Sequence, residues 1–131
     1  MNTQLILISH GTFCEELKKS TEMIMGPQEM IHTVALLPEE GPEDFQRKFE
    51  AAAKELDDFV VFADLMGGTP CNVVSKLLMM GQPIALYAGM NMPMVIDFIN
   101  SQMTNTETDF VQAGKTNICH INQILLEEDD E

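Results

Sequence analysis

The sequence predicts a doubly wound α/β fold: a mainly parallel sheet in the order 2-1-3-4, helices on both faces and an extra C-terminal strand. Three observations predict it. Short apolar runs alternate with helix-like segments along the 131 residues, the pattern of repeated strand–helix–strand units. The connections are short, and right-handed crossovers leave only a few topologies. Two apolar runs, Leu5-Ile6-Leu7-Ile8 and Phe59-Val60-Val61-Phe62-Ala63, give way to the polar residues Ser9-His10 and Asp64. In the order 2-1-3-4 these are neighbouring strands, so their carboxyl ends meet where such folds bind ligands.

The elements follow in order. Residues 4–9 read as the first strand. Thr12 then reads as a helix N-cap with Glu15 three residues on, a capping box, and the helix runs to about Met25 before Gly26-Pro27. Its apolar positions Phe13, Leu17, Ile24 and Met25 follow helical spacing only in part, with Ser20 and Thr21 diluting the face. Residues 30–37 form the second strand, ended by Pro38. Pro42 opens the second helix with Glu43 and Asp44 in its first turn, where the macrodipole favours them. Phe45, Phe49, Ala52, Ala53 and Leu56 recur at helical spacing and mark its core face. The third strand spans residues 59–64. Thr69 and Pro70 read as N-cap and N1 of a third helix carrying Val73, Val74, Leu77 and Leu78 and ending at Gly81. Residues 83–88 are the fourth strand, and Pro93 opens a fourth helix through Ile99. Residues 107–114 read as a short helix and 118–121 as a fifth strand. The expected organisation is one domain over residues 1–122 and an acidic tail over 123–131, whose last five residues are all Asp or Glu and read as a frayed, solvated end.

Composition narrows the function. The chain is 45% hydrophobic with a formal net charge of −14, so no basic stripe is available to neutralise nucleic-acid phosphates or an anionic membrane. A basic protein partner suits such a surface. Cys14, Cys71 and Cys119 are too few and too widely spaced for a disulfide framework or a metal knuckle. A reducing cytoplasm fits this cysteine usage, and the N-terminal apolar run is too short for a signal peptide or membrane span. No cofactor and no metal are expected.

His10 and Asp64 are the candidate catalytic pair. A carboxylate that accepts a hydrogen bond from one ring nitrogen fixes the tautomer and leaves the other nitrogen as a nucleophile, a base or a phosphate carrier. Gly11, Gly67, Gly68 and Thr69 stand at two helix starts, where backbone N–H groups favour an anion. The glycines permit close approach and Thr69 adds a hydroxyl. Against this, a histidine after a strand is commonly a loop residue, and Asp64 alone reads as a helix cap. Cys71, in the first turn of the third helix, is a rival nucleophile for a Cys71–His10–Asp64 hydrolase. His32 and His120 fall in strands and read as structural. Met90, Met92 and Met94 read mainly as core, with a few methionines available to an adaptable surface.

These residues, together with Ile8-Ser9-His10-Gly11, Leu37-Pro38-Glu39-Glu40-Gly41, the run from Asp64 to Asn72 and Gly89-Met90-Asn91-Met92-Pro93-Met94, carry a resemblance. Over about residues 2–115 the chain resembles the enzyme IIA component of the mannose-type phosphoenolpyruvate-dependent sugar phosphotransferase system. The resemblance implies a phosphotransferase in which His10 is phosphorylated on Nε2, Asp64 holds the other ring nitrogen, and Thr69 with nearby amides contacts the phosphoryl group. It implies phosphate uptake from the histidine-containing phosphocarrier protein, transfer to an enzyme IIB component, and an indirect link to membrane permease components during sugar import. It also implies a homodimer, in some family members formed by exchange of a C-terminal strand, although the segment from Lys115 onward departs from the family pattern.

Two other readings remain at this level. The phosphoryl-donor subunit of a dihydroxyacetone kinase resembles the same domain, and so does a phosphorylation-dependent regulatory module. A receiver domain is disfavoured because Ser9-His10 stands where such a site needs acidic residues.

Overall fold

The computed structural model describes residues 2–129. It contains β1 (Gln4–His10), α1 (Phe13–Met25), β2 (Ile31–Leu36), α2 (Pro42–Lys54), β3 (Phe59–Ala63), α3 (Thr69–Met79), β4 (Ala85–Ala88), α4 (Met92–Thr104), α5 (Phe110–Thr116) and α6 (Ile121–Asp129). The four strands form one sheet in the order β2-β1-β3-β4, all parallel, as the sequence predicts.

The core follows from strand alternation. Successive side chains of β1 point to opposite faces, and Leu5, Ile6, Leu7 and Ile8 are all fully buried. Leu5 and Leu7 join α1, α4 and α5 through Leu17, Val95, Phe98 and Phe110. Ile6 and Ile8 join α2 and α3 through Phe45, Phe49, Val74 and Leu77. A central parallel strand needs apolar residues on both sides, hence the unbroken run. Phe62, Tyr87 and Phe110 pack edge to face with centroids 5.2–5.8 Å apart, which fixes α5 against β3 and β4.

The start of α1 departs from the expected capping box. Thr12 is the N-cap residue, but its side chain makes no capping bond. Ser9 takes that role: its fully buried hydroxyl accepts from the Cys14 amide at 2.8 Å and donates to the Gly11 carbonyl at 2.9 Å. The buried stripe of α1 is Cys14, Leu17 and Thr21, while Phe13 and Ile24 are exposed. Thr21 is accommodated there because its hydroxyl donates to the Leu17 carbonyl at 2.8 Å. On the far side of the sheet, the Asp44 carboxylate accepts from the Gly41 amide at the start of α2. That bond holds the Asp44 carboxyl below its usual range.

Four further expectations are corrected. The N-cap of α3 is Gly68, so Thr69 and Pro70 are its first two residues. The fourth helix continues beyond Ile99 to Thr104, because Ser101 is buried with its hydroxyl on the Phe98 carbonyl, and left-handed Asn105 ends it. The short helix lies at 110–116, capped by the Asp109 side chain on the Gln112 amide. Residues 118–121 form no strand. The His120 carbonyl instead accepts from the Gln123 and Ile124 amides and opens α6. A helix satisfies its own backbone groups, whereas a strand would have needed a neighbour. The expected boundary at residue 122 falls inside α6, and Asp130 and Glu131 of the acidic tail lie outside the described residues. Among the described residues no helix is long and apolar enough to cross a membrane.

Two substitutions test this account in urea unfolding. Phe49→Ala empties a fully packed site between α2 and the sheet and should cost about 3–5 kcal/mol; a loss well below that range would show that the α2 face is loosely packed. Ser9→Ala strands a buried amide and should cost about 1–3 kcal/mol, and equal stability with the native chain would remove Ser9 as the cap of α1.

Candidate functional site

The site lies at the carboxyl ends of β1 and β3. His10 is the last residue of β1, on the same parity as Ile6 and Ile8 and therefore on the face covered by α2 and α3. Asp64 directly follows β3, and its amide donates to the Ile8 carbonyl at 3.1 Å, which extends the β1–β3 pairing to the site.

One carboxylate organises the pair. Asp64 Oδ2 accepts from the His10 backbone amide at 2.9 Å and lies 2.8 Å from the ring Nδ1, while Oδ1 accepts from the Leu65 amide at 2.9 Å. A carboxylate in that position can only accept, so in the neutral ring Nδ1 carries the proton and Nε2 the lone pair. The His10 side chain is 47% exposed and Asp64 only 11%. The ring is thus half exposed while the carboxylate that anchors it is sheltered.

The turns around the ring are tied down separately. The Gly11 amide donates to the Leu36 carbonyl at 2.7 Å, locking the chain after His10 onto β2, with Gly11 at a φ of +57°. The next turn of β2 is held in place too: Glu40 Oε1 accepts from the Leu37 amide at 2.8 Å and from Lys48 at 2.9 Å. These bonds hold the Glu40 carboxyl below its ordinary range. On the other side, Gly67 adopts a φ of +90°, a conformation that favours glycine. Asn72 Nδ2 donates to the Gly67 carbonyl at 3.2 Å, and the Asn72 amide bonds the Gly68 carbonyl at 2.8 Å to open α3.

His10, Asp64, Gly11 and Gly68 are therefore brought together, with Gly67 and Thr69 adjoining Gly68. Ser9 and Asn72 were not singled out by sequence reasoning. A fully buried serine between Ile8 and His10 and an asparagine in the first turn after a glycine pair were the available signals.

The rival groups lie elsewhere. Cys71 is buried in the cluster with α2, its thiol 3.9 Å from the Ser75 hydroxyl. Burial pushes the Cys14 thiol up. His32 is in β2 as expected, with Nε2 2.9 Å from the Gln4 side-chain oxygen, and burial lowers its basicity. His120 is not in a strand but just before α6, exposed. Met90 and Met94 are core residues, with Met92 packed against them. Among the described residues no group of three or more His, Cys, Asp or Glu is placed to hold a metal.

Comparison with known proteins places the chain in a family. The family described as "PTS system fructose IIA component" matches residues 4–114. The chain is 29% identical over 116 residues to the PTS system mannose-specific EIIAB component of Escherichia coli; this covers 86% of the chain but only 36% of that protein, so the chain spans about a third of its length. It is 28% identical over 99 residues to the PTS system fructose-specific EIIA component of Bacillus subtilis, covering 73% of the chain and 68% of that protein. Among solved structures, the mannose/sorbose specific IIA subunit of the phosphotransferase system from Enterococcus faecalis superposes with a TM-score of 0.77 at 31% identity, covering 92% of this chain and 95% of that one. A PTS IIA protein associated with the fucose utilization operon of Streptococcus pneumoniae shares the fold with a TM-score of 0.85 at 24% identity, covering 95% and 97%. With the family match spanning nearly the whole folded body and both carboxyl-end residues, the chain belongs to the PTS fructose/mannose IIA component family.

Proposed function

We propose that this chain is a phosphoryl carrier of a sugar phosphotransferase system, working through a phosphohistidine at Nε2 of His10. The observation that carries the reading is the 2.8 Å contact between Nδ1 and Asp64, which leaves the lone pair of the neutral ring on Nε2 of a half-exposed side chain. In the forward step Nε2 attacks the phosphorus held on a histidine of the phosphocarrier protein. The Nε2–P bond forms as the donor's N–P bond breaks, and the donor imidazole leaves with that electron pair. Asp64 stabilises the positive charge that develops on the His10 ring. The reverse geometry passes the group to an enzyme IIB component, linking the chain indirectly to permease components and sugar import.

The phosphoryl group is assigned to the amides of Gly67 and Gly68 and the Thr69 hydroxyl at the start of α3, where backbone donors and the helix dipole favour an anion. Thr69 follows the N-cap residue Gly68 as the first residue of α3, so its hydroxyl stands at the helix start. Gly11 supports this reading through its turn rather than its amide, which is engaged by Leu36. The exposed apolar side chains of Phe13, Leu65 and Met66 flank His10 and Asp64 in the chain, a rim suited to a protein partner rather than a small substrate. The acidic body favours a basic partner.

We also assign the protein to a homodimer. Among the described residues the outer edge of β4 has no strand partner in the sheet. Beside it lies a groove of about 330 Å³ lined by Leu86, Tyr87, Met94, Val111 and Ile118, and Ile121, Leu125 and Leu126 of α6 are exposed. An open edge and an apolar segment together favour pairing between copies.

Intact mass after incubation with phosphoenolpyruvate, enzyme I and the phosphocarrier protein tests the carrier. The expected result is an acid-labile gain of one phosphate, absent in His10→Ala and unaffected by Cys71→Ala. Asp64→Asn should slow its appearance by about a hundredfold or more. Phosphorylation of His10→Ala would exclude His10 as the carrier. Sedimentation tests the assembly: the native chain should run at twice the monomer mass, and Ile121→Asp with Leu125→Asp should run as a monomer. A monomeric native chain would overturn the dimer.

A further inference from the structure

The two adjacent glycines of the site are glycines for different reasons. At Gly67 the reason is conformational: its φ is +90°, yet an added Cβ would meet nothing within 4 Å. At Gly68 the reverse holds. Its φ of −91° and ψ of 167° are extended backbone open to any residue, but a Cβ would lie 2.9 Å from His10 Nε2 and closer still to Cε1. No settled structure accommodates contacts that short, so either the ring or the backbone would have to move. The imidazole therefore rests with its Cε1–Nε2 edge directly against the Gly68 backbone.

We propose that Gly68 is a positioning residue: its bare Cα is a steric platform that holds the imidazole against Asp64 and so fixes the tautomer of His10. The inference rests on His10 being the reacting group but concerns the ring's placement rather than any partner. Asp64 tethers one edge of the ring at Nδ1, and a single hydrogen bond leaves the ring free to pivot about it. Gly68 bounds the opposite edge, at the nitrogen that carries the lone pair. Asn72 fixes the height of the platform by holding the carbonyl of Gly67 with its side chain and that of Gly68 with its amide. Tether, stop and clamp come from three places in the chain, β1–β3 adjacency, the glycine turn and the first turn of α3.

Gly68→Ala is a clean probe because the backbone there tolerates alanine, so its effect reports the ring contact. Nitrogen NMR of His10 in alkaline buffer reads the tautomer directly, and phosphate uptake from the phosphocarrier protein reads the chemistry. In the native chain the proton should sit almost wholly on Nδ1. In folded Gly68→Ala the Nδ1–H signature should give way to a mixture of both tautomers, with phosphate uptake slowed at least tenfold. A native tautomer in Gly68→Ala, whether transfer is normal or slowed, overturns the platform; slowed transfer with that signature would assign Gly68 to contact with the phosphoryl group or the partner instead. A mixed tautomer with normal transfer upholds the platform and shows that transfer does not depend on it, while His10→Ala tests the carrier separately. If Gly68→Ala does not fold, Asn72→Ala, at an exposed position, should shift the tautomer in the same direction by a smaller amount, and no shift in that variant overturns the proposal.

Discussion

The site depends on one carboxylate oxygen. Asp64 Oδ2 accepts from both the backbone amide and the ring of His10, and it can do so only because β1 and β3 are parallel neighbours in register to their carboxyl ends. Every larger feature serves that adjacency. The crossovers through α1 and α2 bring β1 and β3 side by side although 54 positions separate His10 from Asp64. The two apolar layers keep the strands from sliding, since a slip of one residue would turn His10 to the opposite face. Parity then aims the ring at the glycine turn that opens α3.

The surroundings divide labour between apolar and polar contacts. Below the site, the sheet is held by aliphatic and aromatic packing on both faces, a contribution that is large but not directional. At the carboxyl ends, direction comes from hydrogen bonds: Ser9 to the start of α1, Gly11 to β2, Glu40 and Lys48 to the turn after β2, Asn72 to the glycine turn. None of these bonds touches Nε2. Nε2 is the ring nitrogen that this framework leaves without a hydrogen bond, as the proposed phosphoryl carrier requires.

Much of this was legible in the chain. An apolar run of four residues buried on both faces could only be an inner parallel strand, and the placement of His10 and Asp64 after two such runs predicted the contact between them. The stripe from Phe45 to Leu56 read correctly because helical spacing is a local property. What failed was set by distant partners. Residues 118–121 have the β-branched character of a strand, but Ile118, Ile121 and Leu125 also recur at helical spacing, and the segment opens α6 instead of pairing with the edge of β4. The expected end of the fourth helix at Ile99 fell short because a buried serine, Ser101, satisfies its hydroxyl on the preceding turn and lets the helix run on. Thr12 is the N-cap by position, but the hydroxyl that bonds the first turn is that of Ser9, which lies before the turn. The reason for Gly68 was invisible in principle, since the atom that forbids its side chain belongs to a residue 58 positions earlier.

The doubly used oxygen of Asp64 has a kinetic side. Two donors of one residue bound to a single acceptor behave as a chelate. When the ring bond breaks thermally, the main-chain bond keeps the carboxylate within reach, and the ring recloses on the timescale of side-chain rotation rather than of diffusion. Encounters between proteins are far slower than that. A partner arriving at this surface therefore meets an averaged, reset histidine, whatever the ring was doing a moment before.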